Sequence, residues 1–434
     1  MKRNVMQLLI EWKNSEDRKP LILEGARQVG KTWIMKEFGE TQFDDYVYFN
    51  FDKEIELKEI FENNKDAHRI IEKLSLISNK LINPNSTLII LDEIQECSEA
   101  LNSLKYFKED ARDYYVISAG SSLGTYLAKP HSYPVGQVNI IKMYPLTFDE
   151  FLEATDETLL KIYKQISPEE FTLNVIEEIF CTKFKDAYNK YLIIGGMPEC
   201  VYSWIKYHDI SKVDKIQKDL IEIYKNDITK HNGKINTGRI LMVFDNIAPQ
   251  LAKENKKFIY GRIQKGARAK EFEEAIQWLS SYGLINIVNN VSKNEYPLKT
   301  YDDLSAFKIY FFDTGLLKQM SGIENDSIIL DKDFSFKGAL TENYVLQQLI
   351  DQFIVSPRYF TFDRYETDFI IQKSEKIIPI EVKAGNSISS SSLSNYRKKF
   401  NPEQSIRYSM LNFNKDTDLI NIPLYFARLT KKLL

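Results

Sequence analysis

Three apolar runs in the first third of the chain have the length and composition of buried strands. They are "PLILEG", the run "STLIILDEIQE" at 86–96 and the run "YYVISAGSS" at 114–122. The second is continuously apolar, as in a parallel strand that helices cover on both faces. After the first run, "KTWIMKEFGE" places Ile34, Met35 and Phe38 on one side of a helix. The pattern predicts an α/β fold around a parallel sheet.

The turn between the first strand and its helix carries the phosphate-binding pattern G-x-x-x-x-G-K-[ST]. Glycines let backbone N–H groups turn toward phosphate oxygens, and the helix N-terminus adds a partial positive charge. The lysine would reach the β- and γ-phosphates, and the threonine hydroxyl would hold Mg²⁺. An incidental glycine turn is the alternative, which the flanking strand and helix disfavour. The predicted ATP-binding residues are Gly25, Ala26, Arg27, Gln28, Val29, Gly30, Lys31 and Thr32.

The other two strands end in residues that suit the same chemistry. The acids Asp92 and Glu93 follow the second strand, at the carboxyl edge where open α/β sheets bind ligands. Asp92 is predicted to hold Mg²⁺, and Glu93 to act as the general base that polarises the attacking water. The third strand ends at Ser121 and Ser122, either of which could contact the γ-phosphate. An acidic helix cap after a strand is the alternative interpretation of the acids.

The chain resembles prokaryotic AAA-type ATPases that carry a conserved C-terminal domain of unknown function. The matching segments, spread over residues 21 to 385, are "GARQVGKT", "LIILDEIQE", "AGSSLG", "YPLTFDEFL", "GGMPE", "YFFDTGLL" and "IPIEVKAG". The resemblance implies an oligomer-forming ATPase core, hence a homo-oligomer, with Ser121 as sensor of the γ-phosphate. Related ATPases often add an arginine from a neighbouring subunit, worth on the order of 10³–10⁵ in rate. Residues 121–144 contain no arginine, so we expect either slow turnover or a trans-acting group from elsewhere, for example Arg112.

Length and composition set broader limits. A chain of 434 residues suits two or three domains. Its net charge of -3 gives no general case for nucleic acid, so that case depends on local patches. Its three cysteines are scattered, which favours a reducing cytoplasm and no disulfide framework. No apolar run approaches the ~20 residues that span a bilayer, so no membrane partner is expected.

Residues 251–270 hold seven basic residues and one acid, and a helix with Phe272, Ile276 and Leu279 on one face follows. This helical pattern, followed by a strand pair, resembles a winged helix, whose basic residues would contact DNA phosphates. That helix opens with three acids, Glu271, Glu273 and Glu274, which would repel DNA. The acids favour the alternative, an ordinary solvated face.

The C-terminal segment "YETDFIIQKSEKIIPIEVKAG", residues 365–385, is predicted to form a β-hairpin. Asp368 lies at its first strand, Glu381 and Lys383 lie at its second, and Glu342 lies on a preceding helix. A second helix is predicted after the hairpin, in "SLSNYRKKF". This order of helix, hairpin and helix, together with the pattern Asp…Glu-x-Lys, resembles the PD-(D/E)xK nuclease fold. Asp368 and Glu381 would bind Mg²⁺, Lys383 would position water, and Glu342 would support them. Alternating surface charges on an edge hairpin are the alternative.

The predicted fold is α/β and has four parts. They are a P-loop parallel-sheet ATPase core (1–144), a helical lid (145–235), a winged-helix-like middle (236–325) and an α+β restriction-endonuclease-like C-terminal domain (326–434). Two functions stay open. One is an ATP-dependent enzyme whose nuclease-like end acts on or binds nucleic acid, such as DNA. The other is a nucleotide-dependent switch or scaffold whose nuclease-like end binds a partner without cleaving.

Overall fold

A computed structural model describes residues 1–54, 56–62, 65–120, 123, 136–166, 178–231, 233–253, 255–385 and 390–434. Contacts divide the chain into two units. The first comprises Met1–Tyr144 with Ser281–Leu284, and the second comprises Pro145–Ser280 with Ile285–Leu434. The four predicted domain ranges stay predictions.

The first unit is built on a five-stranded sheet of order β2-β3-β4-β1-β5, with every neighbouring pair parallel. Its strands are β1 Leu21–Glu24, β2 Asp45–Asn50, β3 Thr87–Asp92, β4 Tyr115–Ala119 and β5 Asn139–Lys142. Its described helices are α1 Val5–Lys13, α2 Lys31–Gln42, α3 Leu57–Glu62, α4 Ala67–Ser78 and α5 Ser98–Asp110. The predicted parallel-sheet α/β core is thereby confirmed.

The register of this sheet brings the predicted chemistry to one edge. Asp92 lies opposite Asn50 on one side and Ala119 on the other, and Leu23 pairs with Ala119. Every residue of β3 is buried, which explains its unbroken apolar run before Asp92. The loop after β1 therefore begins at the edge where β2, β3 and β4 end.

The second unit contains mostly helices before its C-terminal sheet. The helices are α6 Phe148–Thr155, α7 Glu157–Gln165, α8 Glu178–Ile194, α9 Pro198–Tyr207, α10 Ile210–His231, α11 Gly233–Asp245, α12 Ile247–Leu251, α13 Ala269–Ser281, α14 Thr314–Met320, α15 Asn325–Ile329, α16 Lys337–Leu349, α17 Ser391–Phe400 and α18 Thr430–Leu433. An antiparallel pair, β6 Ile285–Val291 and β7 Asp302–Phe311, follows α13. This order agrees with the predicted helices and strand pair, and the winged-helix assignment itself stays a prediction.

The C-terminal part of the second unit contains a mixed five-stranded sheet of order β10-β11-β12-β14-β13. Its strands are β10 Phe369–Lys373, β11 Lys376–Val382, β12 Ser405–Ser409, β13 Asn414–Asp416 and β14 Leu419–Pro423, and a short hairpin, β8 Thr361–Phe362 with β9 Tyr365–Glu366, precedes it. The predicted hairpin is present, because β10 and β11 pair antiparallel. β11, β12 and β14 then run parallel.

A buried polar network holds the second unit together around Asp313. Its carboxylate accepts hydrogen bonds from the backbone N–H of Gly196 at 2.7 Å and of Leu316 at 2.9 Å. A Cβ on Gly195 would lie 2.3 Å from this carboxylate, so only glycine fits there. Burial raises the pKa of Asp313 to about 6. The segments "GGMPE" and "YFFDTGLL" therefore meet as structural partners.

Candidate functional site

The phosphate-loop backbone has the conformation that its glycines allow. Gly25 has φ 153° and Gly30 has φ 97°, while Gln28 between them has φ 64°. A Cβ on Gly25 would lie only 2.3 Å from the carbonyl oxygen of Met143, so a larger residue would not fit. α2 begins at Lys31, immediately after Gly30. The backbone N–H groups of the loop are thus continuous with those of a helix N-terminus, an arrangement that is typical of anion-binding sites.

Lys31 is buried at the centre of this loop. Its Nζ donates hydrogen bonds to the carbonyl oxygens of Gly25 at 2.7 Å and Ala26 at 2.8 Å. Burial lowers the pKa of Lys31 to about 8, against the opposing attraction of Glu93 and Asp92. The ammonium group is therefore held by two neutral carbonyl oxygens.

Asp92 and Thr32 are brought together although 60 residues separate them. The Thr32 hydroxyl donates to Asp92 Oδ2 at 2.7 Å, and the backbone N–H of Glu93 donates to Oδ1 at 3.1 Å. Both donors are neutral, so they orient the carboxylate without cancelling its charge. Mg²⁺ is typically bound through one or two carboxylates together with substrate phosphates. A carboxylate and a hydroxyl within 2.7 Å of each other fit that ion.

Tyr48 is a residue of this site that the sequence analysis did not identify. Its hydroxyl donates to Asp92 Oδ2 at 2.8 Å and accepts from Asn50 Nδ2 at 3.1 Å. Burial is the main cause that raises the pKa of Tyr48 to about 12. The ring also lies under Lys36, whose Nζ is 3.9 Å from its centroid. Alternation along "DYVYFN" could have placed Tyr48 and Asn50 on one face near the carboxyl edge.

Glu93 lies at the start of a short turn rather than on β3. Its backbone has φ 52°, and its Oε2 accepts a hydrogen bond from Gln95 Nε2 at 2.7 Å. A Cβ on Gly120 would lie 1.9 Å from Gln95 Oε1, so the small residue at the end of β4 leaves room for Gln95. The sequence offered no signal for this role of Gln95. Ser121 and Ser122 lie outside the described residues.

Glu342 of the predicted C-terminal site is buried on α16. Its Oε1 accepts from Lys256 Nζ at 2.6 Å, and its Oε2 accepts from the Tyr310 hydroxyl at 3.1 Å. Burial alone would lower the pKa of Lys256, but attraction to Glu342 and Asp368 outweighs it and raises that pKa. The sequence analysis predicted a role for Glu342, which stays a prediction, and did not identify either of its partners.

Asp368, Glu381 and Lys383 lie at neighbouring strand ends. Asp368 Oδ2 accepts from the backbone N–H of Val382 at 2.7 Å, and Glu381 pairs with Lys383 at 2.7 Å. Burial, and then the charges of Glu342 and Glu381, raise the pKa of Asp368 well above its ordinary value. These charges place the three predicted acids in one electrostatic cluster. In the part of the chain that the structure describes, no three Asp, Glu, His or Cys residues are arranged to hold a metal ion.

Three models of known domain families match parts of this chain. Residues 17–152 match the model of the AAA domain. Residues 185–327 and 337–425 match two domains of unknown function, DUF8612 and DUF4143. No curated protein matches the chain.

Solved structures with some similarity include a Walker-type ATPase of Pyrococcus abyssi, at 14% identity and a TM-score of 0.45, covering 74% of this chain and 95% of that one. The Aeropyrum pernix Orc1 protein in complex with DNA has 13% identity and a TM-score of 0.24, covering 74% and 91%. AMPPCP-bound DnaA from Aquifex aeolicus has 14% identity and a TM-score of 0.27, covering 63% and 85%. All three TM-scores are below 0.5, so these likenesses carry no argument about this chain.

Residues 17–152, which include most of the first unit, are thus similar to AAA domains, a class of domain that binds ATP. The two further matches name domains without a stated function. Among the described residues, no helix combines the length and the apolar character that crossing a membrane demands.

Proposed function

We propose that this chain hydrolyses ATP slowly at the loop that ends in Lys31 and Thr32. The contact between the Thr32 hydroxyl and Asp92 carries the proposal, because it joins the loop to the acidic edge of the sheet. Thr32 and Asp92 would hold Mg²⁺, which supplies positive charge next to the phosphates. Lys31 would bind the β- and γ-phosphates, and Glu93 would accept the proton of the attacking water.

The hydrogen bonds of Lys31 and Glu93 fit this division of roles. Lys31 has to leave two carbonyl oxygens to reach phosphates, and Glu93 has to leave Gln95 to reach water. Ser121 is proposed as the γ-phosphate sensor. Slow turnover is proposed because residues 121–144 contain no arginine to stabilise the charge on the transferred group. A homo-oligomer in the cytoplasm remains part of the proposal, and a neighbouring subunit would then be the source of any further cation.

Substitution of Glu93 tests the proposal. Glu93→Gln keeps the shape of the side chain and removes its basicity, so we expect ATP binding near the parent level and hydrolysis reduced at least ~100-fold. Glu96→Gln is the matched control, because Glu96 is exposed in the same turn. Hydrolysis by Glu93→Gln at the parent rate would remove Glu93 from the mechanism.

For the second unit, we propose a PD-(D/E)xK-like C-terminal fold that acts on or binds nucleic acid such as DNA. Support comes from the order of α16, the β10–β11 hairpin, α17 and β12, with Glu342, Asp368, Glu381 and Lys383 in one cluster. Plasmid incubated with the parent, Glu381→Ala and Lys383→Ala in Mg²⁺ or Mn²⁺ tests cleavage. Nicking by the parent alone supports an active nuclease.

A second candidate function is a nucleotide-dependent switch whose nuclease-like end binds a partner without cleaving. The observation that favours it is the pairing of Glu342 with Lys256 and of Glu381 with Lys383. Two of the three acids thus already have a cation from their own chain. Equal absence of nicking by the parent and both variants supports this candidate.

A further inference from the structure

The acids of the C-terminal cluster do not fit a divalent ion in the described conformation. They are the predicted metal ligands Asp368 and Glu381 and the predicted supporting acid Glu342. Such an ion binds six or more oxygens, at about 2.0–2.6 Å. Both oxygens of Glu342 are already bound, by Lys256 and by Tyr310. Glu381 is paired with Lys383, and Asp368 accepts the N–H of Val382. Each of the three acids thus already accepts a hydrogen bond or an ion pair from the chain itself.

We propose that Lys256 closes this cluster to divalent metal by placing its own ammonium group against Glu342. This inference rests on the second candidate function, the nuclease-like end that does not cleave. It concerns a residue outside the predicted Asp…Glu-x-Lys pattern, contributed by the basic segment 251–270. Lys256 therefore acts as a built-in counter-ion of the C-terminal acids.

Burial distinguishes this contact from an ordinary surface ion pair. The Lys256 side chain is 15% exposed and that of Glu342 is 5% exposed, with 2.6 Å between Nζ and Oε1. Surface pairs of two flexible side chains are worth little, whereas a buried pair leaves an uncompensated charge if one partner is removed. A neighbouring lysine, Lys308, forms an ion pair with Glu366 instead, with 2.6 Å between Nζ and Oε1. Lys256 is thus the cation assigned to Glu342.

The backbone around Lys256 is an independent second observation. Lys256 has φ 49°, in the left-handed region that non-glycine residues rarely adopt. The turn is fixed on both sides of it. Lys253 Nζ donates to the carbonyl of Lys257 at 2.8 Å, and the N–H of Phe258 donates to the carbonyl of Phe307 on β7 at 2.9 Å. The fold therefore maintains an unfavourable backbone conformation at the residue that reaches Glu342.

Counting Mn²⁺ ions bound to the nucleotide-free full chain by electron paramagnetic resonance tests the proposal. Each protein is compared with its own Asp368→Asn version, so that only binding at the C-terminal cluster is counted. We expect no such binding by the parent. Lys256→Met should bind a single Mn²⁺ with a Kd at least ~10-fold below the highest Mn²⁺ concentration at which the parent shows none, and Asp368→Asn should remove it. Lys257→Met, which changes an exposed lysine next in the chain, should behave as the parent does.

Lys256→Gln is a second variant that keeps a neutral donor for Glu342, and circular dichroism verifies folding. A gain of Asp368-dependent Mn²⁺ by either folded variant supports the proposal. Folded variants without that gain overturn it, and so does Asp368-dependent Mn²⁺ binding by the parent as tight as by the variants. The parent result decides the matter if neither variant folds. ATP turnover of the same proteins is measured separately, so a failed ATPase assignment leaves the Mn²⁺ result unchanged.

Discussion

At the phosphate loop, Asp92 accepts hydrogen bonds from Thr32 and Tyr48, and Glu93 accepts one from Gln95. At the C-terminal sheet, Glu342 and Glu381 instead pair with lysines. Both regions contain buried or half-buried carboxylates. They differ in whether the partner is a neutral donor or an ammonium ion.

This difference has a consequence for each region. A neutral donor fixes the direction of a carboxylate and leaves its negative charge, which an incoming cation can then use. An ammonium ion cancels the charge and occupies an oxygen at the same time. This contrast underlies our proposals that the first region binds Mg²⁺ and phosphate and that the second is closed to a metal ion.

The largest expected difference between the regions is in stability. Glu342→Gln leaves the Lys256 ammonium buried without its partner, which should cost about 3–5 kcal/mol in the free energy of unfolding. Asp92→Asn removes a charge whose hydrogen-bond donors, the hydroxyls of Thr32 and Tyr48 and the N–H of Glu93, are neutral, and should cost only about 1 kcal/mol. Urea unfolding of both variants measures the two values. Equal losses would mean that the contrast between the regions is not energetic.

Nucleotide binding should depend strongly on Lys31. Lys31→Ala removes the ammonium group from the centre of the loop, a loss of about 2–5 kcal/mol or at least ~30-fold in affinity. Isothermal titration calorimetry with ATP and Mg²⁺ measures the change. Lys53→Ala, at an exposed lysine, should bind as the parent does. Unchanged binding by Lys31→Ala would place the nucleotide elsewhere.

Tyr48→Phe should give a smaller and more specific effect. Loss of its hydrogen bond to Asp92 Oδ2 should weaken the affinity for Mg²⁺ in the nucleotide complex about tenfold, as loss of outer-shell partners usually does. Binding of ATP without metal should not change. Tyr46→Phe is the control, because the Tyr46 hydroxyl bonds Glu40 at the surface. If both variants titrate with Mg²⁺ alike, Tyr48 does not position Asp92.

The smallest expected effect is the pH dependence of ATP binding. Since burial lowers the pKa of Lys31 to about 8, the free protein loses this proton as the pH rises. Phosphates bind the ammonium form, so affinity should fall roughly fourfold between pH 7 and 8.5, with proton uptake on binding. Calorimetry in two buffers of different ionisation enthalpy measures that proton. Binding at pH 8.5 without proton uptake contradicts a titrating Lys31.

Local patterns were enough to predict the phosphate loop and its acids. The loop residues are adjacent in the chain, and Asp92 follows a strand whose apolar run is unmistakable. The C-terminal hairpin and its acids were predictable for the same reason, because period-two alternation identifies the strands. In each case the residues lie within one or two neighbouring elements.

Partners from distant elements were not predictable. Tyr48 reaches Asp92 only because β2 and β3 pair in the register that sets Asn50 opposite Asp92. Lys256 contacts Glu342 although 86 positions separate them in the chain. The contact depends on a left-handed backbone conformation at Lys256 that no sequence motif predicts. Our proposals for the two regions differ because of these partners and not because of the acids themselves.

A structure with a non-hydrolysable ATP analogue and Mg²⁺ tests the central claim most directly. We expect the ion between Thr32 Oγ1 and the Asp92 carboxylate, and Lys31 Nζ on the β- and γ-phosphates instead of the carbonyls of Gly25 and Ala26. A nucleotide bound away from this loop, or Lys31 still bonded to both carbonyls beside a bound nucleotide, would contradict the account.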